Sequence, residues 1–510
     1  MGCTTLLVGK GASLDGSTII ARNEDSSAGE YNPKRMCVVH PEEQPRTYVS
    51  VLSHVSVDLP DDPMRYTALP DALPGHGNWS AAGVNEANVA MTATETITSN
   101  PRVLGADPLV VLVPAKGVPG EEGFVPERPG GIGEEDMVTL VLPYIHSARE
   151  GVERLGRLLE EHGTYEMNGI AFSDVDEVWW LETVGGHHWI ARRVPDDACV
   201  VMPNQLGIDF FDVSDALGEQ EGFMCSADLV EFIEGNHLGW LHEEADEDEP
   251  SELRLCFDPR EAFGSRSDAD HVYNTPRAWD MLRFLAPDCL GGGCCGASPE
   301  DDDLPWACVP SRPVSIEDVK YVESLHYQGT PYDPYGRHGD GSQRGMYRPI
   351  GINRNGELAV IELRPWAGEA TRAVEWVAFA SNVFNVLVPL FADVDDVPEY
   401  LSCTSGRVST DSLYWQSRLI AALADAHFAS CSNIIERYQD GVAAKAREIV
   451  GQTTRKVDEA GMGYADAVPL LSEANAEICA MVREETDDAL SKVLYAASEG
   501  MRNGFARSDA

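Results

Sequence analysis

Positive charge is what this chain has least of: 38 lysines and arginines stand against 84 aspartates and glutamates, a formal net charge of −46. A surface that acidic repels phosphate backbones and anionic lipid headgroups, so nucleic acid and membrane are excluded as partners. Long apolar runs are missing too. The most apolar stretch, 374–391, is broken by Glu375, Asn382, Asn385 and Pro389, and no charged n-region precedes an apolar h-region. Of 12 cysteines only Cys294 and Cys295 adjoin, and the rest lack the spacing of a disulfide framework, which predicts a reducing, cytoplasmic setting. No G-x-S-x-G elbow, P-loop, dinucleotide fingerprint or papain-type cysteine signature occurs, which removes the usual hydrolase and nucleotide-binding alternatives. There is no internal repeat.

What remains is ordinary globular material, with 43% hydrophobic and 24% charged residues, enough to bury a substantial core. Cys3 to Gly9 and Ser17 to Ala21 read as two strands around the turn chemistry of KGASLDGS, an N-terminal hairpin. A loop centred on Ala12 and Ser13 would set Cys3 opposite Arg22, and a tight turn at Asp15 and Gly16 would set it opposite Ala28; both registers stay open. Strand pairs follow at 79–97, turning at Asn85 to Asn88, and at 169–203, turning at Gly185 and Gly186. Between them, 136–161 carries the apolar stripe of one helix. Helices are expected near 227–234, 275–285 and 316–326, then a hairpin over 349–363 turning at Asn355 and Gly356. After 409 the pattern is almost wholly helical. The expected class is α+β, with one domain over 3–400 and a C-terminal helical extension over 401–510. The acidic stretch 243–252 and the segment 288–305 read as solvated insertions.

The chemistry concentrates at the start. Loss of Met1 and Gly2 would give Cys3 a free α-amino group, whose typical pKa of about 7.7 to 8.0 suits proton exchange near neutrality. One residue then serves as nucleophile and base. A nearby cation raises the thiolate population, and Arg22 is the candidate. In Ala21-Arg22-Asn23-Glu24-Asp25 the cation is followed by two carboxylates, of which Asp25 is expected to hydrogen-bond the α-ammonium and fix its direction.

The opening MGCTTLLVGKGASLDGSTIIARNEDSSAGEYNPK resembles that of the C69 family of dipeptidases, relatives of penicillin V acylase and bile salt hydrolase in the N-terminal-nucleophile superfamily. HHWIARRVPDDACVVMPNQ, HVYNTPRAWDMLRFL, HYQGTPYDPYG and RPIGINRNGELAVIELRPW are similar to family segments in the same order, so the resemblance covers roughly the first four hundred residues. It implies a four-layer αββα sandwich, Cys3 as nucleophile, and Arg22 and Asp25 as its companions. It places Asn204 where relatives have an oxyanion-hole asparagine, and aligns Arg277 with a further active-site arginine, although Pro276 before it also reads as an ordinary helix start. The acylases supply another oxyanion donor near the position of Glu95 or Thr96, through backbone N–H, but this chain departs from their side-chain pattern there and neither residue is assigned the role. The implied activity is hydrolysis of short peptides, with no cofactor and no metal. An acylase of N-acyl amides, or a noncatalytic binding protein on the same fold, are the alternatives. Subunit number stays open, a homo-oligomer included.

Ordinary removal of Met1 would leave Gly2 ahead of Cys3, so the reading requires a further cleavage, for which self-cleavage by Cys3 is the expectation. Met1-Gly2-Cys3 also resembles a lipidated N-terminus, but that motif wants Ser or Thr where Leu6 stands. Cys289, Cys294, Cys295 and Cys308 lack the paired CxxC units of a zinc site, and His187 and His188 lack a third ligand.

Overall fold

The computed structural model describes residues 2–27, 30–93, 95–245, 253–291, 296–302 and 304–501. Most of the acidic stretch, together with Ala28, Cys294, Cys295 and Asp303, lies outside them.

The strands that frame the molecule, in chain order, are β1 (Cys3–Val8), β2 (Thr18–Asp25), β3 (Ala82–Val84), β4 (Ala90–Thr92), β5 (Glu95–Thr96), β6 (Asn168–Ser173), β7 (Val178–Val184), β8 (His188–Arg193), β9 (Cys199–Met202), β10 (Phe223–Cys225), β11 (Ala307–Cys308), β12 (Asn355–Leu363), β13 (Ala373–Phe379) and β14 (Val388–Phe391). The helices that matter here are α1 (Glu134–Val141), α2 (Ala148–His162), α3 (Asp268–Leu285), α4 (Leu413–Asp425), α5 (Phe428–Glu459) and α6 (Tyr464–Glu499).

Two antiparallel sheets carry the core. One runs β11-β9-β1-β2-β12-β13-β14, and the other runs β10-β8-β7-β6-β4-β3 with β5 also pairing β6. Strand β1 is therefore central, with β9 on one side and β2 on the other. Leu6, Ile20 and Ala21 of the first sheet share a buried apolar cluster with Ala82, Ala171 and Trp180 of the second. A further cluster joins Ile170, Phe172, Trp179 and Leu181 to Val152, Leu155 and Leu159 of α2. The last three helices pack on the first sheet, where Asn475 of α6 accepts from Phe391 N (2.9 Å) and donates to Phe391 O (3.0 Å). That bidentate contact gives the edge strand β14 the partners an exposed edge would lack.

The structure departs from the sequence expectations at four places. The N-terminal hairpin pairs Cys3 with Glu24 and Thr5 with Arg22, a register between the two considered. The helix expected over 136–161 is two: α1 ends before Leu142 and Pro143, and α2 restarts with Ser147 accepting from Glu150 N at 3.1 Å. Proline cannot donate to the preceding turn, and the serine caps a new start. Helix α3 begins after Ser267 and runs through Pro276. No hairpin forms over 349–363, because β12 pairs with β2 and β13 and the Asn355 side chain bonds Asp25 and Ile350 O. The turn at Gly185 is as expected; its φ of 73° is a conformation that glycine adopts without a Cβ clash. No described helix is long and apolar enough to cross a membrane.

Candidate active site

Alternation along a strand decides what surrounds Cys3. With Cys3 opposite Glu24 and Thr5 opposite Arg22, these four side chains share one face of the sheet, and Arg22 is the diagonal neighbour of Cys3. The Arg22 Nη2 donates to Cys3 Sγ at 3.3 Å. Arg22 is fully buried and cannot wander: Nη1 donates to Glu24 Oε2 and Ala81 O, each at 3.2 Å, and Nη2 to Glu134 Oε1 at the start of α1. Lys34 extends the array, with Nζ 2.8 Å from Glu24 Oε1 and 3.0 Å from Asp71 Oδ1. A buried charge is tolerated only when partnered, and here cations and carboxylates alternate from Asp71 through Lys34, Glu24 and Arg22 to Glu134.

On the other side of β1, Thr5 pairs with Met202, which carries Asn204 to the level of Cys3. Cys3 N donates to Asn204 Oδ1 at 3.1 Å, Arg277 Nη2 donates to the same oxygen at 2.9 Å, and Asn204 Nδ2 donates to Thr96 O at 3.0 Å. A guanidinium can only donate, so Arg277 fixes which end of the amide faces Cys3. Arg277 itself reaches in from α3, fully buried, with Nη1 on Cys3 O and on Thr4 Oγ1 (2.8 Å) and Nη2 on Asn274 Oδ1 (2.6 Å).

Asp25 sits next to Glu24 and, by alternation, on the opposite face of β2. It is bound by Asn355 Nδ2 at 2.6 Å and pairs with Arg348, which stacks over the Tyr273 ring at 5.0 Å. Gly2 lies among these groups: a Cβ at that position would be 2.3 Å from Tyr273 Oη and 3.0 Å from Arg348 Nη2. Gly2 and Cys3 are both buried. Burial pushes the Cys3 thiol up to about 12, with Arg22 pulling it down and Glu95 and Glu134 pushing it further up.

The sequence motif, the strand that positions it and the arginine on its sulfur thus coincide at one residue. A family model described as Peptidase family C69 matches residues 2–441. The chain belongs to peptidase family C69. It is 54% identical over 547 residues, covering all of both chains, to a protein of Bifidobacterium longum named "Dipeptidase". It is 49% identical over 511 residues, again covering both in full, to "Probable dipeptidase A" of Streptococcus pyogenes serotype M3. With "Dipeptidase A" of Lactobacillus helveticus it shares 43% identity over 89% of this chain and 88% of that one.

In this C69 peptidase, four of the five residues picked from the sequence converge on Cys3: the cysteine itself, Arg22, Asn204 and Arg277. The fifth, Asp25, stands one residue ahead, at Gly2. Three participants escaped the sequence reading. Glu24 rather than Asp25 is the carboxylate on the Arg22 face, a consequence of register. Glu134 lies two residues before the expected helix start. Glu95 accepts from Thr5 Oγ1 at 2.9 Å and acts electrostatically on the Cys3 thiol, from a segment whose sequence pattern speaks only of strands. The capping signature of Gly133 to Asp136 was the one local signal that could have pointed to Glu134.

Proposed function

We propose that this peptidase hydrolyses dipeptides with Cys3 as an N-terminal nucleophile, on a four-layer αββα sandwich of the N-terminal-nucleophile kind. The observation that carries the reading is the Arg22 guanidinium 3.3 Å from Cys3 Sγ, on a central strand that begins at the nucleophile. The relatives' names support the substrate class, and the two packed sheets with helices outside each support the layering.

After cleavage behind Gly2, the α-amine of Cys3 takes the thiol proton and the sulfur attacks the scissile carbonyl carbon. Charge moves to the carbonyl oxygen, where the second N–H of Asn204 Nδ2, whose first is held by Thr96 O, is the donor. The C–N bond then breaks, the α-ammonium returns its proton to the leaving amine, and the acyl group remains on Sγ as a thioester. Water, deprotonated by the same α-amine, attacks the thioester and frees the second product. Arg22 stabilises the thiolate once the amine has taken its proton, Arg277 holds Asn204, and Asp25 with Arg348 orients the head of the chain around the new amine.

Intact-mass measurement of purified, active enzyme tests the reading. A chain starting at Cys3 is expected, and full dipeptidase activity in a chain still bearing Gly2 would overturn it.

A further inference from the structure

Among the described residues, Glu95 is a buried carboxylate close to Cys3 that forms no ion pair. Glu24 and Glu134 are both engaged by Arg22, and Asp25 by Arg348. Glu357, opposite Glu24 on β12, stands two strands away from Cys3. Glu95 is 1% exposed, its Oε2 accepts from Thr5 Oγ1 at 2.9 Å, and its Oε1 has no hydrogen-bond partner among the described residues. An orphaned carboxyl oxygen in a buried site costs free energy that a ligand donor can recover.

The geometry suits a particular donor. Thr5 is two residues from Cys3 on the same face of β1, a separation of about 6.7 Å along a strand. In a peptide, covalent geometry puts the α-nitrogen about 2.5 Å from the carbonyl carbon of the same residue. An acyl carbon held at Cys3 Sγ therefore has its own α-nitrogen within reach of the face of β1 on which Thr5 holds Glu95. The charged groups that act on Cys3 or Glu95 include Arg22, Arg277, Glu134 and Glu323. Two fixed guanidiniums there would repel a substrate cation, and a carboxylate is what offsets them.

We infer that Glu95 receives the free α-ammonium group of the substrate and so restricts the enzyme to peptides with an unblocked N-terminus. The assignment rests on the proposed role of Cys3. Burial pushes the Glu95 carboxyl up to about 8, with Arg277 and Arg22 pulling it down. Below that pH the acid must lose a proton to pair with an ammonium, so KM for a free dipeptide rises as the pH falls. Above it the substrate amine, with a typical pKa of about 7.7 to 8.0, loses its charge. KM is lowest near pH 8.

The test uses Ala-Leu and its Nα-acetyl counterpart on wild-type enzyme, Glu95→Gln and Cys3→Ala. Wild type is expected to prefer the free dipeptide at least a hundredfold in kcat/KM. Glu95→Gln is expected to raise KM for it ten- to a hundredfold, to leave kcat within about threefold, and to lose the acidic limb of the KM profile, in line with the value of a charge-assisted hydrogen bond. Iodoacetamide labelling of Cys3 reports whether the variant's site is intact. An intact Glu95→Gln enzyme with wild-type KM and selectivity overturns the inference while the Cys3 reading stands. Turnover by Cys3→Ala overturns that reading instead. If Glu95→Gln does not fold, the wild-type profile decides: a KM flat from pH 6 to 8 overturns the inference.

Discussion

Arg277 donates to the side-chain oxygen of Asn204 at 2.9 Å, the same oxygen that accepts from the Cys3 nitrogen at 3.1 Å. The arginine thus acts on the site by holding an amide. Asn204→Ala is expected to lower kcat about 10²- to 10³-fold with KM little changed, the cost of one oxyanion donor. Arg277→Lys keeps the charge but not the fork and is expected to cost at least tenfold in kcat. Steady-state kinetics on a free dipeptide check both.

Arg22 balances two buried carboxylates. Arg22→Gln leaves Glu24 and Glu134 facing each other without the guanidinium, and should destabilise the fold by about 3 to 5 kcal/mol in urea unfolding. Arg22→Lys retains the cation and should fold, yet react more slowly with iodoacetamide at Cys3, because the thiolate is the reactive form.

Cys3→Ala removes the sulfur from a fully buried site without disturbing the ladder of β1. Loss of all dipeptide turnover is expected, with a far-ultraviolet circular dichroism spectrum and an urea midpoint near those of wild type.

A side chain at position 2 would crowd Tyr273 and Arg348. A valine there would drive its Cβ to 2.3 Å from Tyr273 Oη, and overpacking of this kind costs about 1 to 3 kcal/mol. Gly2→Val is expected to lower the fraction of purified protein that begins at Cys3, read by intact mass, and the double variant Gly2→Val with Tyr273→Ala should restore part of it.

Away from the site, Asp107 accepts from the backbone N of His187 (2.7 Å) and His188 (3.1 Å) and contacts the Nδ1 of each ring. Burial works against its charge, but these bonds, led by the His188 side chain, hold the carboxyl below its usual range. A lowered pKa contributes stability above the unfolded value of about 3.9 and loses it as the pH falls below that. Asp107→Asn should lose stability relative to wild type at pH 7, and the gap should narrow between pH 4 and pH 2 in urea titrations.

Short-range features were legible in the sequence because their causes are local. The turn at Gly185 and Gly186 and the apolar stripe of α2 each need only a few neighbouring residues. The hairpin register was not, since KGASLDGS allows more than one loop, and the choice fell to pairing with β9 and β12 on either side. That single shift decided that Glu24, not Asp25, shares a face with Cys3. Arg277 became visible only through resemblance, and its partners Asn204 and Asn274 come from separate elements. Glu134 and Glu95 reach the site across 112 and 90 residues of chain, a separation over which no periodicity speaks.

The strand ladder begins at Cys3, whose neighbours on β2 start at Glu24. A polypeptide trimmed to that residue would forfeit none of the inter-strand pairing, so the proposed maturation would act on an already folded body and need no refolding afterwards. On that proposal the chemistry of the head group would be switched while the scaffold beneath it stays as it was.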